Sequence, residues 1–427
     1  MTEYFRRTDN RPLRRMAWLL AMALVLTLFL SCPGRTAEAE VENDPGESES
    51  EWCDIRDLLL GEGYTIALRK DGRVLYTGKE FPGIKERIAG WEQIERIELQ
   101  GFGRYLVGYR EDGSIRLELL FDPEEYGSSD HWTEEDLASW SGVTQMILED
   151  GRALGLTEAG TVLTLPRGEE DAELCREISE WTDICQIAED YSGVMGLRNN
   201  GTVAFAAIGD YGRQRKAFWE DETAAKNIRE LVKCFYTVCA LDENGTLISD
   251  GSELGWTNIE KVYYASDSMF GLRGDGTVAV CFGFYPDDPR LLEVAGWDHI
   301  TALGFDVTGW ARYLPVGLRD DGTVCAVMED DGNRYGSWDF TGWTDVKKLY
   351  SGTDFTIGIR SDGSLLVTGG EFGGAPYLDE IAGWTDIRAI YFIAFPREEY
   401  PSHIVGLKTD GTLVAAGDNS LGQCDVG

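Results

Sequence analysis

Residues 343–363 read WTDVKKLYSGTDFTIGIRSDG, and this pattern occurs nine times between Trp52 and the end of the chain. At its centre a small residue, Gly or Ala, is followed five positions later by Gly. The small position is taken by Ala67, Gly108, Gly155, Gly196, Ala240, Gly271, Gly317, Gly358 and Gly406. The later glycines are Gly72, Gly113, Gly160, Gly201, Gly245, Gly276, Gly322, Gly363 and Gly411. A constant offset in nine copies indicates one structural unit that is repeated along the chain.

The second glycine of each copy predicts a tight hairpin. Asp or Asn precedes it in eight copies and Ala159 in the remaining one, and an aliphatic residue follows it two positions later. Asp-Gly or Asn-Gly between apolar runs is the strongest short-range hairpin signal, and a type I′ turn places both residues at positive φ. We therefore expect one strand to end just before this turn and another to begin just after it.

A tryptophan precedes each hairpin by about twenty residues and predicts where a further strand begins. Ile or Val stands three positions after the tryptophan, a second aliphatic residue follows three positions later, and we interpret this stretch as a further strand. The fifth copy has Ala225 at the aligned position. Each unit therefore contains at least three antiparallel strands, and its variable tail has room for a fourth. The tryptophans are Trp52, Trp91, Trp140, Trp181, Trp256, Trp297, Trp343 and Trp384.

The length of the unit predicts the architecture. Several strands in a repeat of about 40 residues are typical of a β-propeller blade. We expect an all-β propeller with antiparallel blades of three or four strands. The innermost strands would crowd around the axis, so that a side chain at the small position would clash with the neighbouring blade. The tryptophan would fill the wedge between blades.

Two stretches carry a family resemblance, residues 343–363 above and residues 413–425, LVAAGDNSLGQCD. Over residues 52–427 the chain resembles the regulator of chromosome condensation repeat family in a short bacterial form. The resemblance implies a β-propeller, of seven blades in most members. Nine units predict either a larger ring or seven blades with two units outside it, and we favour one ring of nine. The chromatin role of the family's namesake is not implied, since a fold does not fix a function.

Residues 1–32 have the features of a bacterial export signal. An arginine-rich start precedes an apolar run at 17–30 that is short for a membrane span. Residues 28–32, LFLSC, resemble a lipobox, in which Cys32 is lipidated and becomes the mature N-terminus. The alternatives are cleavage near Ala37 and an uncleaved signal anchor. We expect an exported protein, anchored by lipid to the outer face of the membrane.

The remaining chain divides into a linker and a folded domain. Residues 33–51 are strongly acidic and nearly lack apolar side chains from residue 36 onward, so they predict a flexible linker. Residues 52–427 contain every repeat unit and predict the propeller.

Eight cysteines follow Cys32, most at strand positions that other copies fill with aliphatic residues, which favours buried thiols. Cys53 and Cys424 are the one candidate disulfide, because ring closure would bring the first and last units together.

The net charge of the chain limits the classes of partner that its surface can bind. Lys and Arg number 39 and Asp and Glu number 75, for a net charge of −36. Nucleic acid and anionic lipid both require cationic surfaces, so neither is expected to bind the bulk of this surface. We expect a monomer that meets the membrane only through its lipid or signal anchor.

The sequence contains no recognisable catalytic motif. The three histidines, His131, His299 and His403, do not form a metal-spaced cluster, and Asp330–Asn333 lacks the spacing of an EF-hand calcium loop. We expect no metal and no cofactor, and favour a scaffold at the cell surface that binds a protein or glycan. The alternative is an exported glycan hydrolase or lyase with carboxylates near the propeller channel.

Two units lengthen the connection between their first two strands, at residues 304–313 and 392–402. Because both are the same connection, they should project from one face of the ring. Exposed aromatic residues there would suit a protein or glycan partner; alternatively, they pack the long loops down. The candidate rim residues are Phe305, Trp310, Tyr313, Phe392, Phe395 and Tyr400.

Overall fold

Each repeat unit forms one antiparallel sheet, and these sheets are called blades 1 to 9 in chain order. The strand after the tryptophan pairs with the strand that holds the small residue, which pairs with the strand after the hairpin glycine. Eight sheets have three strands, and the fifth has a fourth strand, β16 (Ser252–Glu253). The predicted blades of three or four antiparallel strands are confirmed.

The three strands of a blade occupy equivalent positions in all nine units. The first strands are β1 (Ile55–Gly61), β4 (Ile94–Gln100), β7 (Val143–Leu148), β10 (Ile184–Asp190), β13 (Ile228–Cys234), β17 (Ile259–Ala265), β20 (Ile300–Thr308), β23 (Val346–Ser351) and β26 (Ile387–Phe392). The second strands are β2 (Tyr64–Arg69), β5 (Tyr105–Arg110), β8 (Arg152–Thr157), β11 (Gly193–Arg198), β14 (Thr237–Asp242), β18 (Ser268–Arg273), β21 (Arg312–Arg319), β24 (Phe355–Arg360) and β27 (His403–Lys408). The third strands are β3 (Val74–Gly78), β6 (Ile115–Leu119), β9 (Val162–Pro166), β12 (Val203–Ala207), β15 (Leu247–Ser249), β19 (Val278–Cys281), β22 (Val324–Ala326), β25 (Leu365–Gly369) and β28 (Leu413–Gly417).

This computed structural model describes residues 51–427 apart from short internal stretches, so Cys32 and residues 1–50 lie outside the described residues. Within residues 51–427 the stretches left out are 102, 122–130, 222–224, 235–236, 250–251, 254, 266–267, 282–288, 309–311, 328–338, 370–376 and 394–402. No helix in the described part of the chain is both long and apolar enough to cross a membrane.

Within the described residues, short helices follow the third strand in five blades, where the sequence left room for a fourth strand. They are α1 (Ile84–Ala89), α2 (Glu169–Ser179), α3 (Gly209–Trp219), α4 (Pro289–Val294) and α5 (Leu378–Ala382). Each helix leads from the end of one blade toward the first strand of the next.

The hairpin between the second and third strands is not the expected type I′ turn. In blade 1 the amide of Gly72 donates to the carbonyl of Arg69 at 3.1 Å, and among residues 69–73 only Gly72 has a positive φ, 81°. This geometry is a type I turn followed by a left-handed glycine. The Asp71 carboxylate accepts a hydrogen bond from the amide of Arg73 at 3.1 Å. Asp is therefore favoured here as a side-chain acceptor and not for a positive φ.

The tryptophans explain the small residue of the second strand. In blade 4 a Cβ built on Gly196 would lie 2.8 Å from the ring of Trp181, so the expected clash is with the indole of the same unit and not with the neighbouring blade. Trp181 is buried together with Leu154 and Val162 of blade 3, which confirms that the indole fills the wedge between blades. The other pairs of this kind are Gly108 with Trp91, Gly155 with Trp140, Gly271 with Trp256, Gly317 with Trp297, Gly358 with Trp343 and Gly406 with Trp384.

A backbone hydrogen bond of the same kind joins each blade to the next. The amide of the aliphatic residue that begins a first strand donates to the carbonyl of the hairpin glycine of the preceding blade, at 2.9–3.3 Å. The pairs are Ile94–Gly72, Val143–Gly113, Ile184–Gly160, Ile228–Gly201, Ile259–Gly245, Ile300–Gly276, Val346–Gly322, Ile387–Gly363 and Ile55–Gly411. The last pair joins blade 1 to blade 9, so the nine blades form one closed β-propeller.

Ring closure also uses side chains from both ends of the chain. The hydroxyl of Thr65 in β2 donates to the carbonyl of Gln423 at 2.8 Å and lies 2.7 Å from Nε2 of His403 in β27. The guanidinium of Arg388 donates to the carbonyl of Ile55 at 3.1 Å. A buried apolar cluster, containing Ile55 and Leu58 from blade 1 and Val405 and Leu407 from blade 9, fills the junction.

The first strands of neighbouring blades lie side by side around the axis of the ring. Nε2 of the Gln145 side chain in β7 donates to the carbonyl of Ile187 in β10 at 2.7 Å, and Oε1 of Gln145 accepts from the backbone amide of Ile187 at 2.9 Å. Gln186 in β10 makes the same pair of bonds with Leu231 in β13. The first strands therefore line the central channel.

Candidate binding face

The antiparallel strands give the ring two different faces. The turn face carries the tight turns between second and third strands, with their glycines, and the beginnings of the first strands. The opposite face, called the hairpin face, carries the connections between first and second strands, such as Tyr191-Ser192 in blade 4. Because every blade has the same order of strands, all nine first connections lie on the hairpin face.

The candidate rim residues lie at this face only in part. Phe305 is buried, with its ring centroid 4.9 Å from that of Phe270, and Phe392 is buried with its centroid 5.0 Å from that of Phe355. Of the two alternatives for these residues, an exposed rim or packing of the long loops, the burial of Phe305 and Phe392 agrees with packing. Trp310, Phe395 and Tyr400 lie outside the described residues.

The long connection of blade 7 is a prolonged hairpin and not a loop. Strands β20 and β21 continue to Thr308 and Arg312, which pair with each other, and Val307 pairs with Tyr313. The backbone of Tyr313 lies in the extended part of β21, and its side chain is not among those that the structure describes. The hairpin rises further from the ring than the first connection of blade 4, where Asp190 pairs with Gly193.

The sequence did not single out an exposed pair of tyrosines on the hairpin face. Tyr191 is 61% exposed and Tyr211 is 42% exposed, and their rings are stacked with centroids 5.7 Å apart and planes 11° from parallel. Tyr191 belongs to the first connection of blade 4, and Tyr211 to the first turn of α3. Most large apolar side chains in the described residues are buried, so an exposed stacked pair is unusual on this surface.

The local sequence brings these two rings together. A Cβ on Gly212 of α3 would lie 2.1 Å from the carbonyl oxygen of Ser192, so only glycine lets the helix lie directly on the connection of blade 4. The carboxylate of Asp190 accepts hydrogen bonds from the amide of Ser192 at 2.8 Å and from its hydroxyl at 2.6 Å. These contacts fix both the turn that carries Tyr191 and the helix that carries Tyr211.

A buried ion pair ties the helix to two blades. Nη1 of Arg215 in α3 lies 2.6 Å from Oδ2 of Asp190, and their side chains are only 4% and 2% exposed. Nη2 of Arg215 donates to the hydroxyl of Thr237 at 2.9 Å, and the amide of Val238 donates to Asp190 at 2.8 Å. The pair therefore joins α3, blade 4 and blade 5, and the carbon centre of the guanidinium lies 6.0 Å from the Tyr211 ring centroid.

A second group of carboxylates lies beside this pair. Arg152 contacts Asp171 of α2 at 2.7 Å and also contacts Glu189 at the end of β10. Burial raises the pKa of Glu189 to about 7 despite the opposing charge of Arg152, and burial also raises the pKa of Glu149. Because Asp171 and Glu189 are bound to an arginine, the glycan-cleaving alternative gains no support from them.

No cluster of three or more His, Cys, Asp or Glu side chains in the described residues could hold a metal ion.

The candidate disulfide between Cys53 and Cys424 is not formed. Both are free thiols, as are the other six described cysteines. The thiol of Cys424 donates to the carbonyl of Asp418 at 3.4 Å, within its own terminal loop. The first and last blades do meet, but through the backbone bond and the side chains of Thr65 and Arg388 described above.

Blade 5, which lacks the tryptophan, has a cavity of about 150 Å³ on its side toward blade 4. Ala225 stands at the tryptophan position, and Trp219 from the end of α3 is buried in the same cluster. The cavity is lined by Val203, Trp219 and Ala225 and by polar side chains, among them Arg198. Trp219 and Ala225 therefore border the same cavity at the junction of blades 4 and 5.

Comparison with known proteins adds similarities to solved propellers. No family model matches the chain, and no curated protein matches it. The chain is similar to the computationally designed Ika8 protein at 13% identity and a TM-score of 0.37, over 75% of this chain and 98% of that one. It is similar to the CRINKLY WD40 ectodomain of the receptor kinase ACR4 from Arabidopsis thaliana at 12% identity and a TM-score of 0.36, over 74% of this chain and 94% of that one. It is also similar to Prp20p from Saccharomyces cerevisiae at 13% identity and a TM-score of 0.30, over 76% of this chain and 73% of that one.

These values are low, so the fold assignment rests on the strand pairing and the ring contacts. The chain is a β-propeller repeat protein, and its hairpin face carries an exposed, stacked tyrosine pair on a rigid base.

Proposed function

We propose that this chain is an exported scaffold that holds a protein or glycan partner on its hairpin face, and that a lipid on Cys32 fixes it to the outer face of a bacterial membrane. The binding part is carried by one observation, the exposed stacking of Tyr191 on Tyr211. Its units are, on this proposal, members of the regulator of chromosome condensation repeat family, in an exported form.

The physical character of the tyrosine pair supports binding. Tyrosine is enriched at binding hot spots because it offers a large apolar ring and a polar hydroxyl at a small cost in conformational entropy. Here the two rings are already held by Gly212 and by the buried Arg215–Asp190 pair. A partner would therefore meet a preorganised surface and lose little entropy in ordering it.

The point at which the chain enters the ring supports the orientation of this scaffold. The carbonyl of Glu51 accepts a hydrogen bond from Arg69 at 2.6 Å, and Arg69 ends a second strand on the turn face. A tether that precedes Glu51 would thus attach to the turn face, and the hairpin face would point away from the membrane.

Binding is tested by capture on immobilised residues 52–427, with detergent-solubilised envelope proteins and a panel of envelope glycans as probes. We expect Tyr191→Ala with Tyr211→Ala to lower the affinity for any captured partner by a factor of about 30 or more, the scale of a hot spot. Leu292→Ala, which removes another exposed apolar side chain, should leave capture unchanged. Equal loss in both variants, or none in either, would contradict a site at the tyrosine pair.

The sequence-based rim is tested in the same assay with Trp310→Ala and Phe395→Ala. A loss in this variant, with the tyrosine variant unaffected, would move the site to blades 7 and 9.

Lipid anchoring is tested by metabolic labelling with a fatty-acid precursor. The wild-type chain should carry the label, and Cys32→Ser should not. Equal labelling of the two would refute the anchor and leave the propeller's binding activity untouched.

A further inference from the structure

We propose that the cavity between blades 4 and 5 binds a small zwitterion, an α-amino acid with a short apolar side chain. The cavity lies beside the tight turn between β11 and β12, which is on the turn face, so it is a separate site from the tyrosine pair. It has a volume of about 150 Å³ and is lined by Arg198, Thr202, Val203, Trp219, Glu220 and Ala225.

The size and the apolar wall of the cavity suit a short side chain. Val203, Trp219 and Ala225 are buried, and together they form the apolar part of the lining. Because an apolar cavity of this volume holds benzene, there is room for a molecule of roughly six to eight non-hydrogen atoms. Alanine and valine are within that range, whereas the aromatic amino acids exceed it.

The charge of Arg198 is not balanced by its own turn. In six other blades the second strand also ends in Arg or Lys, and an Asp stands two positions later in the turn. In blade 1, for example, Nε of Arg69 lies 3.3 Å from the carboxylate of Asp71. Blade 4 has the neutral Asn200 at the aligned position. The half-buried guanidinium of Arg198 has no hydrogen-bond or ion-pair partner among the described residues.

A carboxylate of opposite charge lines the same cavity. Glu220 is 44% exposed and lies 3.8 Å from Nζ of Lys216, whose nearer partner is Glu177. No ion pair within the described part of the chain joins Arg198 to Glu220, although both line one small cavity. Two opposite charges that border a cavity without contacting each other are complementary to a molecule that carries both an ammonium and a carboxylate group.

Two uncharged groups extend this complementarity. Nε1 of Trp219 is buried and has no acceptor within hydrogen-bond distance in the described residues. An indole N–H can only donate, and a buried donor without a partner is unfavourable. The hydroxyl of Thr202 donates to Oδ1 of Asn200 at 2.8 Å, so its oxygen can still accept. Arg198 and Trp219 therefore suit a carboxylate, and Glu220 and Thr202 suit an ammonium.

Binding is tested by equilibrium dialysis of radiolabelled L-valine and L-alanine against the full chain. We expect saturable binding of both, with alanine weaker because it buries less apolar surface. Isovalerate lacks the ammonium of valine, and isobutylamine lacks its carboxylate. Each should compete with labelled valine at least about tenfold more weakly than unlabelled valine does, since each leaves one charge of the cavity unpaired.

Removing either charge identifies the site. Arg198→Gln and Glu220→Gln should each lower the affinity for valine by about tenfold or more. The matched controls are Arg110→Gln and Glu180→Gln, which should leave it unchanged. Arg110 ends the second strand of blade 2, and Glu180 follows α2 as Glu220 follows α3. The melting temperatures of the four variants show whether the ring remains folded.

Restoring the acid of the turn tests the role of Arg198 without changing the cavity lining. An Asp at this position accepts bonds from the residue two places later, as Asp362 does from Ser364, so Asn200→Asp should keep the turn. Its carboxylate should pair with Arg198 and lower the affinity for valine about threefold. Ala159→Asp, which places an Asp in the aligned turn of blade 3, should have no effect.

Filling the cavity gives an independent test. Ala225→Leu adds apolar atoms to the cavity and should abolish valine binding without lowering the melting temperature. No saturable binding of either amino acid, competition by isovalerate equal to that of valine, or equal losses in the cavity variants and their controls would overturn the proposal.

Discussion

The glycine found in seven of the nine second strands is required for its lack of a side chain and not for backbone freedom. Gly196 does not lie in the left-handed region, yet a Cβ there would lie 2.8 Å from the Trp181 ring and 3.0 Å from Ile184. Two blades have alanine at this position: blade 5, with Ala240, lacks the tryptophan, and blade 1 combines Ala67 with Trp52, which is only partly buried. In the other seven blades glycine and indole act as one packing pair.

Gly196→Ala should destabilise the ring by about 1–3 kcal/mol, because overpacking a buried contact forces neighbours apart. The measurement is the free energy of unfolding in urea. Gly168→Ala is the control, since no atom lies within 4 Å of its Cβ position and its φ of −151° suits any residue. A loss in Gly196→Ala no greater than that in the control would show that the indole can move aside.

His403 makes ring closure sensitive to acid. It is buried, and because the hydroxyl of Thr65 donates to Gln423, Nε2 of His403 must donate to that hydroxyl. Burial lowers the pKa of His403 to about 4. The folded ring therefore holds the neutral imidazole, whereas the unfolded chain takes up a proton near pH 6.5.

Below pH 6.5 the unfolded state binds more protons at this site than the folded state, so His403 lowers the stability as the pH falls from about 6.5 to about 4. His403→Gln keeps a donor for Thr65 and cannot titrate. The difference in unfolding free energy between the variant and the wild type should grow in favour of the variant over that window, by on the order of 2 kcal/mol. Parallel pH profiles would contradict this.

Among the structural elements, α3 does most to shape the binding face. It lies on blade 4 through Gly212 and is tied to blades 4 and 5 through Arg215. Both attachments depend on atoms that lie far apart in the sequence, such as Asp190 and Val238. The helix therefore serves as a rigid support for Tyr211.

Arg215→Met should cost about 3–5 kcal/mol, because it leaves the buried Asp190 carboxylate without its cation. It should also weaken partner capture, since Tyr211 would lose its support. Arg213→Met is the matched control on the exposed side of α3, 66% exposed, with an expected change within about 0.5 kcal/mol. Unfolding in urea measures both, and equal values would contradict a structural role for the pair.

At this scale the repeat pattern predicted the strands well but not the geometry of their ends. The Asp-Gly pairs located the hairpins, yet their turns are type I with a left-handed glycine. A second left-handed position stands just before every first strand and was not predicted. Six of its nine residues are Asp or Asn and one is Gly, the residue types that tolerate this conformation best, so the sequence did carry a signal for it. The stacked tyrosines were missed because Tyr211 depends on α3, which begins with a glycine and has another at Gly212 and so gives a weak helix signal.

The whole ring is closed by both ends of the chain at once. The terminal loop contributes the carbonyl of Gln423 to Thr65 and the carbonyl of Gly422 to Thr77, at 2.8 and 2.7 Å. Gln423 and Val426 are buried in the junction. The terminal loop at residues 418–427, which contains part of the stretch that carries the family resemblance, thus also holds blades 9 and 1 together.

Removing residues 418–427 should destabilise the ring by about 2–4 kcal/mol, from two lost hydrogen bonds and one uncovered apolar site. The truncated chain should show protection from hydrogen exchange lost first in blades 1 and 9. Leu421→Ala, which changes an exposed side chain of the same loop, is the control. Uniform loss of protection around the ring, or none, would contradict a local role of the terminal loop.

The backbone bond between Ile55 and Gly411 is the same as the other eight, so the closing junction shares its backbone geometry with the rest of the ring. The polypeptide could therefore be circularly permuted, with its old ends linked and new ends opened between any two blades, and still assemble the same ring. The native opening puts Glu51 on the turn face, where the proposed lipid tether would attach, with the hairpin face on the opposite side.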